Sequence, residues 1–340
     1  MKKNTYLNKA SLPGSKDLEK LAKKALFLSR HESLWRPLTE VQTPGTLIDF
    51  INPGQNDALF DVIVIPDLHG RTSFLKNLLD FKIPEGDGKD LSIEEALSKN
   101  KIHLVFLGDA LHTEFSTKDR WFLAKELFEQ GDYVSEPMKQ EMAEGLSVYI
   151  TLLDLLCKYP NNFFFLRGNH ENIKNKNDDG MFSFKKYAYE GEMTSLFMEH
   201  QYGQHIRDLL ENFEDALPLV YAGNRCVISH AEPYAPFDRD SLIHGHFLAQ
   251  VMNGLTWTNN DVAAENAVEL SMAALLGHNN AVWISGHRPV CDGYHFQRNG
   301  LFLQIHDPRS TKVLFVSKDR SINIQTDFWE VTPPTERMFS

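Results

Sequence analysis

The chain has 340 residues, of which 42% are hydrophobic, 11% aromatic (23 of them Phe) and 24% charged, enough apolar material for a packed core, so disorder is excluded as its default state. A formal net charge of -11 excludes the broad basic face that nucleic-acid phosphates or anionic lipid require, so neither nucleic acid nor membrane is expected as a partner. Three widely separated cysteines without a CxxC spacing point away from a disulfide framework and from a thiolate zinc site.

In chain order, the opening MKKNTYLNKASLPGSKDLEK carries lysines but no apolar run behind them, and no stretch reaches the length of a membrane span. A soluble, cytoplasmic protein is expected. Residues 16–36 place Leu18, Leu21, Ala25 and Leu28 at helical spacing and predict an amphipathic helix. After the loop NPGQND comes LFDVIVIPDLHG, whose short β-branched run ends at Pro and Gly and predicts a buried strand with Asp67 and His69 at its tip. KIHLVFLGDAL repeats the pattern with Asp109, and NNFFFLRGNHE with Asn169 and His170.

Helical stretches around 73–81 and 118–158 separate these runs, as crossover connections do, and ligands collect at the carboxyl ends of such strands. LPLVYAGNRCVISHAEP reads as a hairpin delivering His230, and AVWISGHRP as a strand delivering His287. The tail LFLQIHDPRSTKVLFVSKDRSINIQT reads as two or three strands, with His306 at the end of one. Two stretches look like insertions: an acidic loop at 84–100 and the segment 172–216, which could form a cap.

Singly, PDLHG, LGDA, RGNHE, SHAEP and SGHRP are ordinary turns after strands. As an ordered set they are a metal site. Oxygen and imidazole donors without thiolate suit a pair of Mn, Fe or Zn ions, and a carboxylate such as that of Asp109 can bridge two ions about 3.5–4 Å apart. His244, His246, His200, His205 and His278 lack a buried strand to aim them and are expected at the surface or in a cap, and Trp257 is expected to pack under the site.

The order Asp-x-His-Gly, Gly-Asp, Gly-Asn-His-Glu, His and Gly-His resembles the signature of the calcineurin-like metallophosphoesterase superfamily, and LRGNHE is similar to the form found in phosphoprotein (Ser/Thr) phosphatases. SHAEPYAPF, GLTWTNND and SGHRPVCDGYHF are similar to further segments of those phosphatases, so the likeness runs over roughly residues 58–316. It implies that Asp67, His69 and Asp109 hold one ion and that Asp109, Asn169, His230 and His287 hold the other. It further implies that a hydroxide bridging the ions attacks phosphorus while His170 protonates the leaving alkoxide.

The chain departs from that pattern in GDALHTE, where His112 stands in place of an aspartate and Thr113 in place of a phosphate-binding arginine, and 258–286 holds no arginine at all. Replacement cations lie beside the motifs. Arg71 reads either as a substrate contact or as a structural residue, Arg167 as a substrate contact or as a salt bridge to Glu171 or another carboxylate, and Arg288 as the substrate arginine.

The expected fold is α/β, a four-layer αββα sandwich of two mixed sheets with a dimetal site at the strand-tip loops. Residues 1–55 form an N-terminal helical extension and 56–330 the catalytic domain, with 172–216 as a cap insertion. The expected function is hydrolysis of a phosphorylated substrate, a phosphoprotein or a small phosphate ester, with two divalent ions. A dinucleoside polyphosphate hydrolase and a metal-binding, non-catalytic scaffold are the alternatives.

Overall fold

The three runs ending in Asp67, Asp109 and Asn169 do fold as adjacent strands. A computed structural model of the chain describes residues 5–31, 35–51, 59–114, 117–278 and 280–331. In chain order its strands are β1 (Leu47–Asp49), β2 (Asp61–Ile65), β3 (Ile102–Phe106), β4 (Phe163–Phe165), β5 (Val220–Ala222), β6 (Cys226–Ser229), β7 (Val282–Ser285), β8 (His295–Gln297), β9 (Phe302–Gln304), β10 (Lys312–Val316) and β11 (Phe328–Glu330). One sheet has the order β11-β10-β2-β3-β4, the other β1-β5-β6-β7-β9-β8, and both mix parallel and antiparallel pairs.

The alternation of side chains along a strand explains the layering. In β2, Val62 and Val64 face the opposing sheet, where Tyr221, Ile228, Ile284 and Leu303 meet them. Ile63 and Ile65 face an outer layer of helices, Ser15–His31, Thr72–Asp80, Glu136–Lys158, Glu190–Tyr202 and Gln204–Glu214. In β7, Trp283 points to the other outer layer, built from Ala249–Thr256 and Ala267–Leu276, while Ile284 points inward. The result is the expected αββα sandwich of two mixed sheets.

Several elements differ from the sequence expectation. The N-terminal helix ends at His31, and Arg36, which precedes Pro37 and is therefore steered out of helical geometry, donates instead to the carbonyls of Ser29, Pro44, Gly45 and Ala216. The helical stretch 118–158 is two helices, Lys118–Phe128 and Glu136–Lys158, parted at Gly131 with φ of 89° and restarted with Pro137 in the first turn. Within 84–100, Ser92 and Glu95 form a reciprocal capping box that starts a helix over Ile93–Ser98.

β1, β8 and β11 are not expected from the sequence, because LID, HFQ and FWE, unlike the equally short FFF of β4, are not unbroken apolar runs; β1 pairs in parallel with β5, so the N-terminal segment supplies an edge strand as well as a helix. The NPGQND loop falls outside the described residues. Among the described residues, no helix is long and apolar enough to cross a membrane.

Candidate metal centre

Every strand end that the sequence marked opens on the same edge of the sandwich. Asp67 and His69 follow β2, Asp109 follows β3, Asn169 follows β4, His230 follows β6, and His287 follows β7. All but His287 are buried, with Asp67 and His230 at 0% exposure. Asp109 Oδ2 lies 3.6 Å from His69 Nε2, 3.7 Å from His170 Nε2 and 3.5 Å from His230 Nε2. Asn169 Oδ1 lies 2.9 Å from His230 Nε2 and 3.1 Å from His287 Nδ1. The structure therefore brings these residues to one point.

Hydrogen bonds from the backbone hold the carboxylates in place. The Glu171 carboxylate accepts from the amides of Asp109, Ala110 and Gly168 at 2.8, 2.9 and 2.7 Å, which clamps the loop after β3 to the loop after β4. The amide of His170 donates to Asp109 Oδ1 and that of His287 to Asp67 Oδ2, each at 2.9 Å. The turns are sharp: His69, Asp109, His112 and His287 all have φ between 43° and 63°, a left-handed backbone that is strained for any residue with a Cβ. At Gly286 a Cβ would run into the Asp67 carboxylate, so only glycine lets the β7 loop come this close.

The donor set fits divalent cations. His69 Nδ1–H donates to the His112 carbonyl and His230 Nδ1–H to the Leu107 carbonyl, which leaves each Nε2 presenting a lone pair to Asp109 Oδ2. Lone pair facing carboxylate is a repulsive arrangement that a cation between them turns favourable. Burial pushes His230 down to about 4, and lowers His69 and, to well below the usual range, His170 and His287, so the imidazoles are neutral ligands. Burial, with the carboxylates of Asp67 and Glu171 beside it, holds Asp109 well above the usual carboxylate range. Asp67 Oδ1 and His287 Nε2 are buried without a hydrogen-bond partner among the described residues.

Around this centre the departures from the expected pattern are visible. His112 Nδ1 is 2.8 Å from His170 Nδ1, and its Nε2 is 3.0 Å from Thr194 Oγ1. Burial, then the neighbouring His69, pushes His112 down to about 3. Thr113 Oγ1 is bound to Glu141 at 2.6 Å, and Arg120 beside it is spent on Glu141 and Glu144. Phe184, from the 172–216 segment, lies 3.8 Å from the His170 ring, and Lys186 pairs with Glu114 at 2.8 Å. Of the two helices of that segment, Glu190–Tyr202 reaches His112 through Thr194, and Gln204–Glu214 packs on the N-terminal helix.

The three arginines divide. Arg71 is committed to the backbone, donating from Nε, Nη1 and Nη2 to the carbonyls of Leu68, Ser310 and Asp67. Arg167 is buried and pairs with Asp215 at 3.1 Å, not with Glu171. Arg288 is half-buried next to His287, and its Nε has no partner among the described residues. Trp257 is half-buried and edge-on to Phe182 at 5.5 Å, not an enclosed core residue. His200, His205 and His278 are exposed, and His246 is held by the Leu217 carbonyl. In the sequence Glu171 reads only as a partner for Arg167 and His306 only as a strand-end histidine that could line the pocket, and Glu114 is left without a role.

Comparison with known proteins agrees with this geometry. A family model described as calcineurin-like phosphoesterase matches residues 60–301. A solved structure of a protein serine/threonine phosphatase from Saccharomyces cerevisiae superposes with a TM-score of 0.53 at 17% identity, over 90% of this chain and 83% of that one. A cold-active protein-tyrosine phosphatase from a psychrophilic Shewanella species matches at a TM-score of 0.40 and 14% identity, over 85% of this chain and 86% of that one, too loosely to argue from. No curated protein matches the sequence.

Proposed function

The chain belongs to the calcineurin-like phosphoesterase family, and from that premise we propose that it hydrolyses phosphate monoesters, on phosphoproteins or small molecules, with two divalent ions. The reading rests on one observation: two buried carboxylates, an amide and three imidazoles converge at the strand tips, with lone pairs facing acceptor oxygens. Asp67, His69 and Asp109 would hold one ion and Asp109, Asn169, His230 and His287 the other. Such ions polarise phosphoryl oxygens and make hydroxide available at neutral pH. Residues 56–330 are the catalytic unit in this reading, with 172–216 as its cap, of which Phe184 lies against His170.

His170 is the proton donor to the leaving oxygen. If His112 donates its Nδ1–H across the 2.8 Å contact, the His170 proton sits on Nε2, the nitrogen turned toward Asp109 and the centre. A neutral imidazole gives up that proton reluctantly, so esters with acidic leaving groups are the better substrates. Arg288, whose Nε has no partner among the described residues, meets the non-reacting phosphate oxygens.

The test is an assay of metal-free protein reloaded with Mn, Fe or Zn, on an aryl phosphate, phosphopeptides and a dinucleoside polyphosphate. Turnover that a chelator abolishes and metal restores is expected, strongest on the aryl ester. Two bound ions with no turnover above the metal-only blank would leave a binding scaffold, and turnover of the anhydride alone would replace the monoester.

A further inference from the structure

His306 is 1% exposed, two residues beyond the end of β9, on the same edge of the sheet as His287 beyond β7. Its Nδ1 lies 3.7 Å from Asp67 Oδ2, and Asp67, His69 and His306 offer three donor atoms that all fall within 4.8 Å of one another. Among the described residues its Nδ1 has no hydrogen-bond partner, and Asp67 Oδ1 beside it has none either. A core histidine normally finds one, as His103 does with the Tyr221 hydroxyl at 2.7 Å. An imidazole this buried, with Nδ1 unpaired and turned to a carboxylate whose other oxygen is unpaired, is a ligand awaiting its cation.

The other side of the ring supports the same reading. His306 Nε2 lies 3.4 Å from Glu114 Oε2, while Glu114 Oε1 is fixed by Lys186 at 2.8 Å. A metal-binding histidine commonly turns its second N–H to a carboxylate, which sets the tautomer and strengthens the ligand. Glu114 belongs to the GDALHTE stretch, so the departure there and the histidine at β9 meet across the fold.

We infer that His306 is a fourth protein ligand, through Nδ1, of the ion held by Asp67, His69 and Asp109, and that Glu114 is the positioning residue that orients its ring. The inference rests on the two-ion reading above. It makes the two positions equal in protein donors, since Asp109, Asn169, His230 and His287 already give four to the other ion. A second imidazole also turns the Asp67 side toward Zn, Fe or Mn and away from Mg.

The experiment is calorimetric titration of the metal-free full chain with Zn or Mn, with bound metal measured by elemental analysis. Wild type should show two classes of site. His306→Ala should weaken one class at least about 100-fold and leave the other unchanged, as His69→Ala should, and Glu114→Gln should weaken the same class about 10- to 100-fold. The exposed His278→Ala should match wild type. His306→Gln, which keeps a polar side chain in the cavity, repeats the test should His306→Ala not fold. Isotherms of both His306 variants that superpose on wild type would overturn the inference and leave the two-ion reading standing. A wild type that binds fewer than two ions would overturn that reading, and this inference with it.

Discussion

β3 has a polar cluster buried at each end, and the two are built on opposite terms. Near its start, His103 is 1% exposed among Phe50, Phe60 and Phe164, and its Nδ1 is satisfied by the Tyr221 hydroxyl at 2.7 Å. Beyond its end, Asp109 sits among groups of which Asp67 Oδ1, His287 Nε2 and His306 Nδ1 lack partners among the described residues. The backbone differs in the same sense, since His69, Asp109, His112 and His287 hold left-handed conformations at the second end. Burial of a histidine therefore says little by itself. Unmet hydrogen-bonding capacity on a strained backbone is what separates a site from a core.

The sharpest way to break this contrast is Asp109→Asn. It should cost activity on the order of 10³-fold, several kcal/mol of lost charge stabilisation, and at least one bound ion. The same change should raise the melting temperature of the metal-free protein, because burial, and then the neighbouring Asp67 and Glu171, disfavour the Asp109 carboxylate. Two ions, normal turnover and an unchanged melt would refute the assignment.

His170→Ala should keep both ions and slow alkyl esters by about 10²-fold, the low end for a general acid, because its partner is the neutral His112. Aryl esters should slow less. Equal slowing of both would remove proton donation from His170.

Arg288→Ala should weaken binding of substrate and inorganic phosphate roughly 10- to 100-fold, as loss of a charge-assisted contact of about 1.5–3 kcal/mol does, with metal content and melting unchanged. Phosphate inhibition at the wild-type level would exclude it as the anion contact.

At the satisfied end the effects should be confined to stability. Tyr221→Phe leaves His103 Nδ1 buried without its partner, which should cost about 1–3 kcal/mol in urea unfolding while the Michaelis constant and turnover stay at wild-type values. A change in turnover would mean that the two ends communicate.

The smallest effect is a slope with pH. Burial holds folded His103 down to about 3 against an ordinary 6.5, so between those values the unfolded chain binds a proton that the folded chain refuses. Stability should be complete above pH 6.5 and fall as the pH drops below it, with His103 contributing up to about 1.4 kcal/mol per pH unit. His103→Phe should make unfolding curves between pH 7 and pH 5 less steep in their dependence on pH; an unchanged slope would show that His103 is not the group responsible.

Much of the fold was legible because its signals are local. The apolar runs ending in Asp67, Asp109, Asn169, His230 and His287 are each a short strand followed within four residues by a polar turn, and the helices between β2, β3 and β4 follow from helical spacing. β1, β8 and β11 hold a polar or charged residue in each three-residue stretch and carry no such pattern, and the break at Gly131 was a single residue in a long helical stretch.

The site divides in the same way. The sequence by itself determined which strand tips carry donors, because a side chain just past a buried strand has one direction in which to point. What each charged neighbour does was decided only by the tertiary structure. Arg71 is committed to the carbonyl of Ser310, Arg167 to Asp215, Glu171 to the amides of two loops, and His306 reaches Asp67 and Glu114 from a strand in the other sheet. Those partners lie up to 239 residues away. A buried charge takes whichever partner the packing of both sheets brings within reach, and nothing in the residues beside it names that partner.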